Sequence, residues 1–512
     1  MQVPMKIISA FLASACAALA LAGAALADLQ IGVVDDRAKG AGDITPFFSQ
    51  MNDVGLTQVR VTVLWDPASP LTIPEQAEIE RMLPFAQSRG VKVVLAVYPL
   101  KPTHVGNSAA AAAQFAAFTA HVARTFPSVK EFIVGNEPNV TRFWQPQFNP
   151  DGSGAACVAF TRMLAASYDA LKAVDPANKV IGVGLSPRGN DDPRAASNIS
   201  HSPVTCLRDM GAAYRGLART NPLMDEFSFH PYPKTDRDPL MKGYRWPNAG
   251  VPDLGRIKQA FWDAFHGTRQ PVFAEGGRAG GLKFRLDEVG WQVRVLASSE
   301  HAYEGTENIQ PTDEDSQARI YGELIRFLGC DPSVESLLFF GLVDEPDLDR
   351  WQAGLVRADG TLRPAYGAVK STFAQTQGRC AGKRHSWRHT ETVLGAKAKF
   401  PPTGRFLPVK HRYFAFNATA QENALSQAGI FRVGGPNRVD RKSIARSLAR
   451  GGGLRRANGL VNAYWTPLIK FPGRPLPRGW YVYGVRLAAE MNPSRTATFV
   501  SKPFRVGHPG LR

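Results

Sequence analysis

The segment Val91–Tyr98 reads VKVVLAVY; the alanine-rich stretch Ala109–Thr125 follows it, and then Glu131–Asn136, which reads EFIVGN. The first and third runs are almost continuously apolar, as strands buried on both faces are. The middle stretch carries apolar residues at helical spacing. This order of strand, helix and strand predicts a βαβ unit with two parallel strands.

The same alternation extends in both directions from this unit. Residues 28–375 contain eight short β-rich runs separated by longer helical stretches. Eight βα units in about 350 residues predict a closed (β/α)8 barrel, the TIM barrel. An open doubly wound sheet is the alternative, but Gly32–Asp35 lacks the glycine-rich turn that follows the first strand of that fold. The eight runs are Leu29–Asp35, Gln58–Trp65, Val91–Tyr98, Glu131–Asn136, Val180–Leu185, Glu226–His230, Leu282–Glu288 and Ser336–Leu342.

The charge is distributed unevenly along the chain. The 512 residues are 44% hydrophobic and 21% charged, which excludes a disordered or collagen-like chain, and they carry a net charge of +17. Residues 381–512 hold 24 Lys and Arg against 4 Asp and Glu, which leaves 37 basic and 40 acidic residues in the first 380. A nucleic-acid-binding role for the whole chain therefore has little support.

The basic segment 381–512 has a different pattern from the rest. Runs such as Gly429–Val433 and Trp480–Leu487 alternate polar and apolar residues, which predicts a small all-β sandwich of immunoglobulin type. We interpret the arginine-rich stretch Arg441–Arg456 as a loop. The charge indicates docking to an anionic polymer or cell-wall surface, through cell-wall phosphate, uronic-acid glycans or extracellular DNA, and no specific nucleic acid.

The amino terminus is typical of an export signal. Lys6 precedes an apolar stretch, Ile7–Leu26, and Ala25–Ala27 provides the small residues of a cleavage site. Residues 1–27 are therefore predicted to be a signal peptide, although a membrane anchor is the rival reading. We expect a mature chain from Asp28 that is secreted and has no transmembrane segment. The predicted domains are the barrel, residues 28–380, and the sandwich, residues 381–512.

Four cysteines remain in the predicted mature chain: Cys157, Cys206, Cys330 and Cys380. An even number in an oxidising compartment predicts two disulfides. Spacing alone leaves three pairings open, and we favour Cys157–Cys206 with Cys330–Cys380 because each closes the shorter loop. No stretch has the spacing of a zinc site, so we expect neither a metal nor another cofactor.

Two glutamates stand where predicted strands end. Glu137 follows the fourth run and Glu288 ends the seventh. In a barrel these strands lie on opposite sides of the mouth, where catalytic residues gather, so the two carboxylates can face each other. Facing carboxylates are the catalytic groups of glycosidases. Glu275, which follows a short apolar run, is the rival to Glu288, but it would leave the seventh strand unassigned.

The sequence resembles clan A of the glycoside hydrolases, which are retaining enzymes on TIM barrels. The resemblance rests on five motifs in barrel order over about residues 28–375. They are Arg60 in the second run, Asn136-Glu137-Pro138, His230-Pro231-Tyr232, Glu288-Val289-Gly290-Trp291, and Gly354–Tyr366 after the eighth run. One departure is the end of the eighth run, which reads Phe339–Leu342 where the clan commonly has a tryptophan.

The resemblance implies a role for each matched residue. Glu137 would be the general acid/base and Glu288 the nucleophile. Asn136 would hold the sugar 2-hydroxyl, while Arg60 and Tyr232 would hydrogen-bond the nucleophile.

Two further residues complete the predicted site. His230 would line the cleft beside the acid/base. Trp291, like Trp65, Trp144 and Trp246, falls at a predicted loop or strand end, where an indole can stack on a sugar.

We therefore predict a secreted retaining glycoside hydrolase that acts on the O-glycosidic bonds of a carbohydrate. A non-catalytic carbohydrate-binding protein on a decayed barrel and a transglycosylase are the alternatives. The sugar, the linkage, and endo or exo action depend on loop shapes that the sequence does not give.

Overall fold

The computed structural model describes residues 28–278, 280–307, 309–401, 406–461, 468–471 and 473–507. The predicted signal peptide, residues 1–27, lies outside the described residues. Within them, no helix combines the length and the apolar character that crossing a bilayer requires.

A closed barrel of eight parallel strands forms the first part of the chain. All eight predicted runs are strands, and they neighbour each other in sequence order with the eighth beside the first. The strands are β1 Gln30–Val34, β2 Gln58–Trp65, β3 Lys92–Pro99, β4 Glu131–Val134, β5 Lys179–Leu185, β6 Glu226–Phe229, β7 Phe284–Val289 and β8 Val334–Phe340. The prediction of a (β/α)8 barrel is confirmed.

Eight α-helices alternate with these strands and form the outer layer. Their buried faces, such as Phe115 and Phe118 of the third helix, pack against the strands in one apolar core. The helices are α1 Thr45–Val54, α2 Gln76–Ser88, α3 Ala109–Thr125, α4 Ala156–Val174, α5 Pro203–Gly216, α6 Leu254–Phe265, α7 Glu314–Leu328 and α8 Pro364–Thr376.

A buried ionic layer fills the amino-terminal half of the barrel. The Arg285 guanidinium donates to Glu226 at 3.0 and 2.7 Å and to Gln58 at 2.6 Å, and it lies 2.9 Å from a Glu131 oxygen. Such a charge is tolerated in a barrel interior only when it is paired and hydrogen-bonded. This end of the barrel is therefore closed by structural contacts, and the cleft lies at the opposite end.

Two disulfides connect outer elements of the barrel. Cys157 of α4 is bonded to Cys206 of α5, and Cys330, just after α7, is bonded to Cys380. These are the pairings favoured from the sequence, and they close loops with sequence separations of 49 and 50. Loops of this length make a disulfide effective in restricting the unfolded chain.

The rest of the chain forms two sheets that pack face to face. Strands from both sheets contribute to one apolar core, which includes Phe416 and Tyr483. One sheet has the order β10-β17-β15-β12-β13, with β16 also paired to β15, and the other has the order β14-β11-β9. The strands are β9 Lys397–Lys399, β10 Phe406–Leu407, β11 Phe414–Thr419, β12 Ala424–Val433, β13 Arg455–Val461, β14 Leu468–Phe471, β15 Gly479–Ala489, β16 Thr496–Val500 and β17 Phe504–Val506. All pairs are antiparallel except β10 with β17.

The loop interpretation of Arg441–Arg456 is wrong. Residues Arg441–Ala449 form a helix, α9, whose first turn is capped by the Asp440 carboxylate. Ile444 and Leu448, four residues apart, bury one face of α9 against the larger sheet. Gly484 permits this approach, because a Cβ there would lie 2.9 Å from a Leu448 methyl carbon. The basic residues occupy the other face.

A buried ion cluster joins the sheets to the barrel. Arg495, which precedes β16, lies 3.1 Å from Asp263 of α6 and 2.6 Å from Glu422. Asn492 adds a hydrogen bond of 2.8 Å to Asp263. The basic segment therefore rests against the helical layer at α6. The division at residue 380 remains a prediction.

Candidate active site

A cleft opens at the carboxyl ends of the barrel strands, with a volume of about 570 Å³. Its lining includes Arg60, Asn136, Glu137, Tyr232 and Glu288, five of the residues predicted from the sequence. They come from strands or loops at β2, β4, β6 and β7, so only the closed barrel brings them together. A cleft of this size and position is where a barrel binds a small ligand or part of a polymer.

Glu137 is held in an unusual backbone conformation after β4. Its φ is +37° and that of Gly135 is +87°. A non-glycine residue rarely adopts such a φ, and strain of this kind concentrates at functional sites. The Glu137 backbone N–H donates to the Gly184 carbonyl at 2.7 Å, which fixes the turn against the end of β5. A Cβ on Gly135 would lie 2.3 Å from the Phe160 ring, so only glycine fits there.

Glu288 reaches the cleft because the ladder of β7 is irregular. Arg285 and Asp287 are completely buried in the barrel, and strict alternation would turn Glu288 to the opposite face. The register of β7 with β8 shifts between Leu286 and Val289. Such an irregularity redirects a side chain beside a site. The Glu288 side chain is 12% exposed and points into the cleft.

Two donors hold the Glu288 carboxylate from opposite sides. Arg60 donates to Oε1 at 2.6 Å, and the Tyr232 hydroxyl donates to Oε2 at 3.0 Å. Hydrogen bonds to an ionised carboxylate stabilise the charged form. This arrangement fixes the orientation of the Glu288 carboxylate.

The two glutamates lie close together across the cleft. One carboxylate oxygen of Glu137 and one of Glu288 are within 4.8 Å of each other. Carboxyl groups about 5–5.5 Å apart are typical of retaining glycosidases, whereas inverting enzymes need about 6.5–9.5 Å to admit a water. The two carboxylates are therefore close enough to contact the same bound group.

Arg60 connects three polar groups at the base of the cleft. Besides Glu288, it donates to the Asn136 amide oxygen at 2.8 Å and lies 3.1 Å from the Asp287 carboxylate. Burial of Arg60 opposes its charge, but Glu288 and Asp287 outweigh burial and raise the pKa of the guanidinium. Because Asn136 accepts through its oxygen, its amide nitrogen remains a donor for a ligand.

His230 and Asp287 form a buried charged pair beneath the glutamates. His230 Nδ1 lies 3.1 Å from Glu137 and 3.5 Å from Glu288, and its Nε2 lies 3.6 Å from Asp287. Burial would lower the pKa of His230, but Glu288 and Asp287 raise it to about 10. Burial would likewise raise the pKa of Asp287, but Arg60 and His230 lower it. Ser228 donates to the same Asp287 carboxylate.

Asp287 was not recognised in the sequence as a site residue. The sequence did offer a signal for Asp287, because it stands two residues after Arg285 in an apolar strand. An unpaired charge is costly in such a strand, so a buried partner was to be expected.

Three aromatic rings form one wall of the cleft. Tyr232 and Trp351 have ring centroids 4.8 Å apart, and Phe340 lies 5.4 Å from Trp351 and 6.2 Å from Tyr232. Trp351 comes from the loop after β8, so it brings an indole to the cleft although β8 itself ends in Phe340. Aromatic faces of this kind suit the apolar faces of sugar rings.

The other tryptophans considered from the sequence pack inside the protein. Trp65, Trp144, Trp246 and Trp291 are all buried. The Trp291 indole N–H donates to the Asp238 carbonyl at 2.9 Å, and its ring packs against Tyr321. The structure therefore does not bring Trp291 into the cleft, and its contacts support the loops around it.

Glu275, the rival to Glu288, lies away from the strand ends. It precedes β7, and its carboxylate accepts from the His389 backbone N–H at 3.0 Å and contacts the His389 ring. The site thus contains Glu288 and not Glu275.

Three side chains of the site could in principle hold a metal ion: Glu137, His230 and Glu288. Each has one potential ligand atom, and these three atoms lie within 4.8 Å of one another. A metal ion requires a neutral imidazole with a free lone pair. His230, with its pKa raised to about 10, is protonated at neutral pH. The Arg60 guanidinium also competes for Glu288. The chemistry of these groups therefore suits proton transfer better than metal binding.

The raised pKa of His230 predicts a pH-dependent stability. The imidazolium contributes stability fully below its unfolded pKa of about 6.5, and this contribution is lost as pH rises toward about 10. We expect the melting temperature of the wild type to fall over this range more than that of His230→Asn, which cannot be charged. Calorimetry at pH 6 to 10 measures both. If the melting temperatures of the two proteins fell equally between pH 6 and 10, this would contradict the assignment of a positive charge to His230.

Solved structures similar to this chain include glycoside hydrolases of families 39 and 5. A family 39 enzyme from Bacteroides cellulosilyticus is 14% identical over 88% of this chain and 81% of its own, with a TM-score of 0.47. A glucosidase from Croceicoccus marinus is 14% identical over 88% and 95%, with a TM-score of 0.46. A GH5-4 endoglucanase from Clostridium longisporum is 9% identical over 68% and 97%, with a TM-score of 0.44.

These likenesses concern the fold, and at such identities they assign neither a substrate nor a catalytic residue. A scan of protein-family models and a search of curated proteins gave no match to the sequence.

Proposed function

We propose that this chain is an exported retaining glycoside hydrolase that cleaves O-glycosidic bonds of an oligo- or polysaccharide by double displacement. The observation that carries this proposal is the approach of Glu137 and Glu288 to within 4.8 Å. Arg60 and Tyr232 hydrogen-bond the carboxylate of Glu288 and not that of Glu137, so the two carboxylates have different environments. Different environments let one act as acid and the other as nucleophile.

In the first step, a Glu288 oxygen attacks the anomeric carbon and forms an ester to the sugar. The bond from that carbon to the leaving oxygen breaks, and Glu137 gives its proton to that oxygen. Positive charge develops on the sugar, and the Asn136 amide nitrogen donates to the 2-hydroxyl as it does so. Arg60 fixes that amide by holding its oxygen at 2.8 Å.

In the second step, Glu137 takes a proton from a water molecule. The water oxygen attacks the anomeric carbon, the ester bond breaks, and Glu288 is released as a carboxylate. Two inversions give overall retention of anomeric configuration. His230 contacts Glu137 through Nδ1 at 3.1 Å and orients its carboxyl group.

Export is supported by two observations. The disulfides Cys157–Cys206 and Cys330–Cys380 suit an oxidising compartment, and the first 27 residues have the composition of a signal peptide.

The test is to find a cleaved substrate and follow the configuration of its product. The protein is assayed on a panel of aryl glycosides and wall polysaccharides, and the first product is observed by NMR before it mutarotates. Retention is expected, and an inverted first product would exclude the double displacement.

Two other outcomes of that assay identify the alternatives. Binding to carbohydrate without cleavage of any substrate would favour the non-catalytic carbohydrate-binding protein. Transfer to sugar acceptors in preference to water would favour the transglycosylase.

The basic segment 381–512 is proposed to dock the enzyme on an anionic polymer. It carries 24 Lys and Arg against 4 Asp and Glu, and several of its cations lie exposed on or beside α9. Such a charge excess attracts an anionic surface in a salt-dependent way. The exposed cations chosen for the test are Lys442, Arg446, Arg450 and Arg456.

A full-length variant with these four residues changed to glutamine is expected to elute from a polygalacturonate matrix at lower salt than the wild type. Neither protein should be retained on neutral agarose. Equal elution of both from the acidic matrix would contradict docking through this surface.

A further inference from the structure

One side of the cleft carries three cations, Arg142, Arg188 and Lys234, which we call the cationic flank. They come from the loops after β4, β5 and β6, and all three side chains are exposed and line the cleft. None of them has a carboxylate of a described residue within ion-pair distance. A cation at the rim of a binding site without a carboxylate partner is available for an anionic ligand.

The opposite side of the cleft is different. Arg37 there donates to the Asp344 carbonyl, and Arg350 lies 3.8 Å from Glu345 and 3.7 Å from Asp347. Arg350 on that side therefore has carboxylate partners, whereas no described carboxylate lies within ion-pair distance of the three cations of the cationic flank.

The cationic flank is built on loops that are tied together. The Asn139 side chain accepts from the Ser186 N–H at 3.0 Å and donates to the Ser186 carbonyl at 3.2 Å, which joins the loops after β4 and β5. Arg188 donates to the Lys234 carbonyl at 3.1 Å, which joins the loops after β5 and β6. The cations are therefore carried by a preorganised wall, so less ordering accompanies ligand binding.

The nearest acidic residue is Asp236, which also lines the cleft. Its carboxylate accepts from the Gln292 N–H at 2.7 Å, and burial raises its pKa. Asp236 is therefore held by the loop after β7; the charge of Arg188 acts against burial and lowers the pKa of Asp236, so Asp236 offsets part of the charge of Arg188.

The position of the cationic flank relative to Glu137 determines which part of a bound substrate the flank contacts. The general acid protonates the leaving oxygen, so the leaving sugar must lie on the side of Glu137. Arg142 follows Glu137 by five residues in the same loop. This step rests on the proposed function.

We propose that the cationic flank binds a carboxylate or sulfate on the sugar unit at the leaving-group side, so that the enzyme prefers an acidic glycan. Arginine and lysine are the side chains suited to such anions, and arginine can bind them with two parallel hydrogen bonds.

The experiment uses short oligosaccharides of polygalacturonate, alginate and hyaluronate, each beside its carboxyl-reduced form, and dextran sulfate beside dextran. Reduction converts each carboxylate to a neutral hydroxymethyl group and keeps the linkage. The variant carries Arg142→Gln, Arg188→Gln and Lys234→Gln, which removes charge but retains hydrogen-bond donors. The control carries Arg124→Gln, Arg162→Gln and Arg326→Gln on the exposed outer faces of α3, α4 and α7.

For any substrate that is cleaved, the wild type and the control are expected to have kcat/KM at least about 10-fold higher on the acidic form, the size expected for one hydrogen bond to a charged group. The flank variant is expected to lose this preference. Preference for carboxylated or for sulfated forms identifies the anion. A wild type that cleaves neutral forms equally well, or a flank variant that keeps the preference, would overturn the proposal.

Binding separates this inference from the proposed function. Calorimetry on Glu288→Gln protein, with and without the flank substitutions, measures affinity for the same oligosaccharides without turnover. If the wild type cleaves none of the substrates, but binding to the Glu288→Gln protein shows a charge preference that the flank substitutions remove, the hydrolase is rejected and the acidic site is kept. Absence of a charge preference in binding would reject the acidic site, whatever the hydrolytic activity.

Discussion

Replacement of Glu288 by alanine is expected to lower kcat by at least about 10⁴-fold on every substrate, as removal of a covalent nucleophile does. Glu288 is the carboxylate held by both Arg60 and Tyr232, and no other described carboxylate shares that position. Without it no ester to the anomeric carbon can form. Initial rates on an activated aryl glycoside measure the loss.

The same variant allows the role to be assigned chemically. The alanine leaves space in which azide can attack the anomeric carbon while the bond to the leaving group breaks. A carbon–nitrogen bond replaces the carbon–oxygen bond in a single displacement, so the glycosyl azide has inverted configuration, which NMR detects.

Glu275→Ala provides the matched control, because Glu275 contacts His389 outside the cleft. It should retain wild-type kcat/KM. An active Glu288→Ala protein, or a rescued product of retained configuration, would remove Glu288 from the position of nucleophile.

The architecture of the barrel was accessible from the sequence because buried parallel strands are continuous apolar runs. Val91–Tyr98 and Glu131–Asn136 could be recognised without any contact information, and closure followed from the count of eight. The ends of the strands then located Glu137 and Glu288, whereas Arg60, the third residue of β2, was indicated by the family resemblance. The positions of the two glutamates follow from chain order alone in this fold.

The orientation of the side chains could not be predicted in the same way. Glu288 enters the cleft only because the ladder shifts between Leu286 and Val289, and a one-residue irregularity leaves no mark in a hydrophobic pattern. The positive φ of Glu137 likewise depends on its bond to Gly184, which is distant in sequence. Long-range contacts decide both.

Trp351 and α9 illustrate two other limits. The tryptophans that follow strands, such as Trp291, were plausible sugar platforms, but the ring that reaches the cleft comes from a long loop whose path the sequence does not define. In α9, the many arginines obscured the spacing of Ile444 and Leu448. Only the sheet beneath shows that this spacing is used.

Replacement of Glu137 by alanine is expected to have an effect that depends on the leaving group. Glycosides of acidic phenols such as dinitrophenol need no proton to depart, so formation of the ester to Glu288 should stay within about 10-fold of the wild type. Natural glycosides and alkyl glycosides need the proton, and their kcat/KM should fall by about 10²–10⁴-fold, the usual contribution of a general acid. Steady-state kinetics on a series of leaving groups measures this dependence.

The second step gives an independent readout of the same residue. Without a base to activate water, the ester should accumulate, and activated substrates should show a burst of released phenol followed by a slow rate. Azide needs no base, so it should speed this slow rate and give a glycosyl azide of retained configuration, opposite to that from Glu288→Ala. An equal loss on all leaving groups without a burst would mean that Glu137 positions the substrate and transfers no proton. The two variants together therefore distinguish an acid/base and a nucleophile from two carboxylates that only bind sugar.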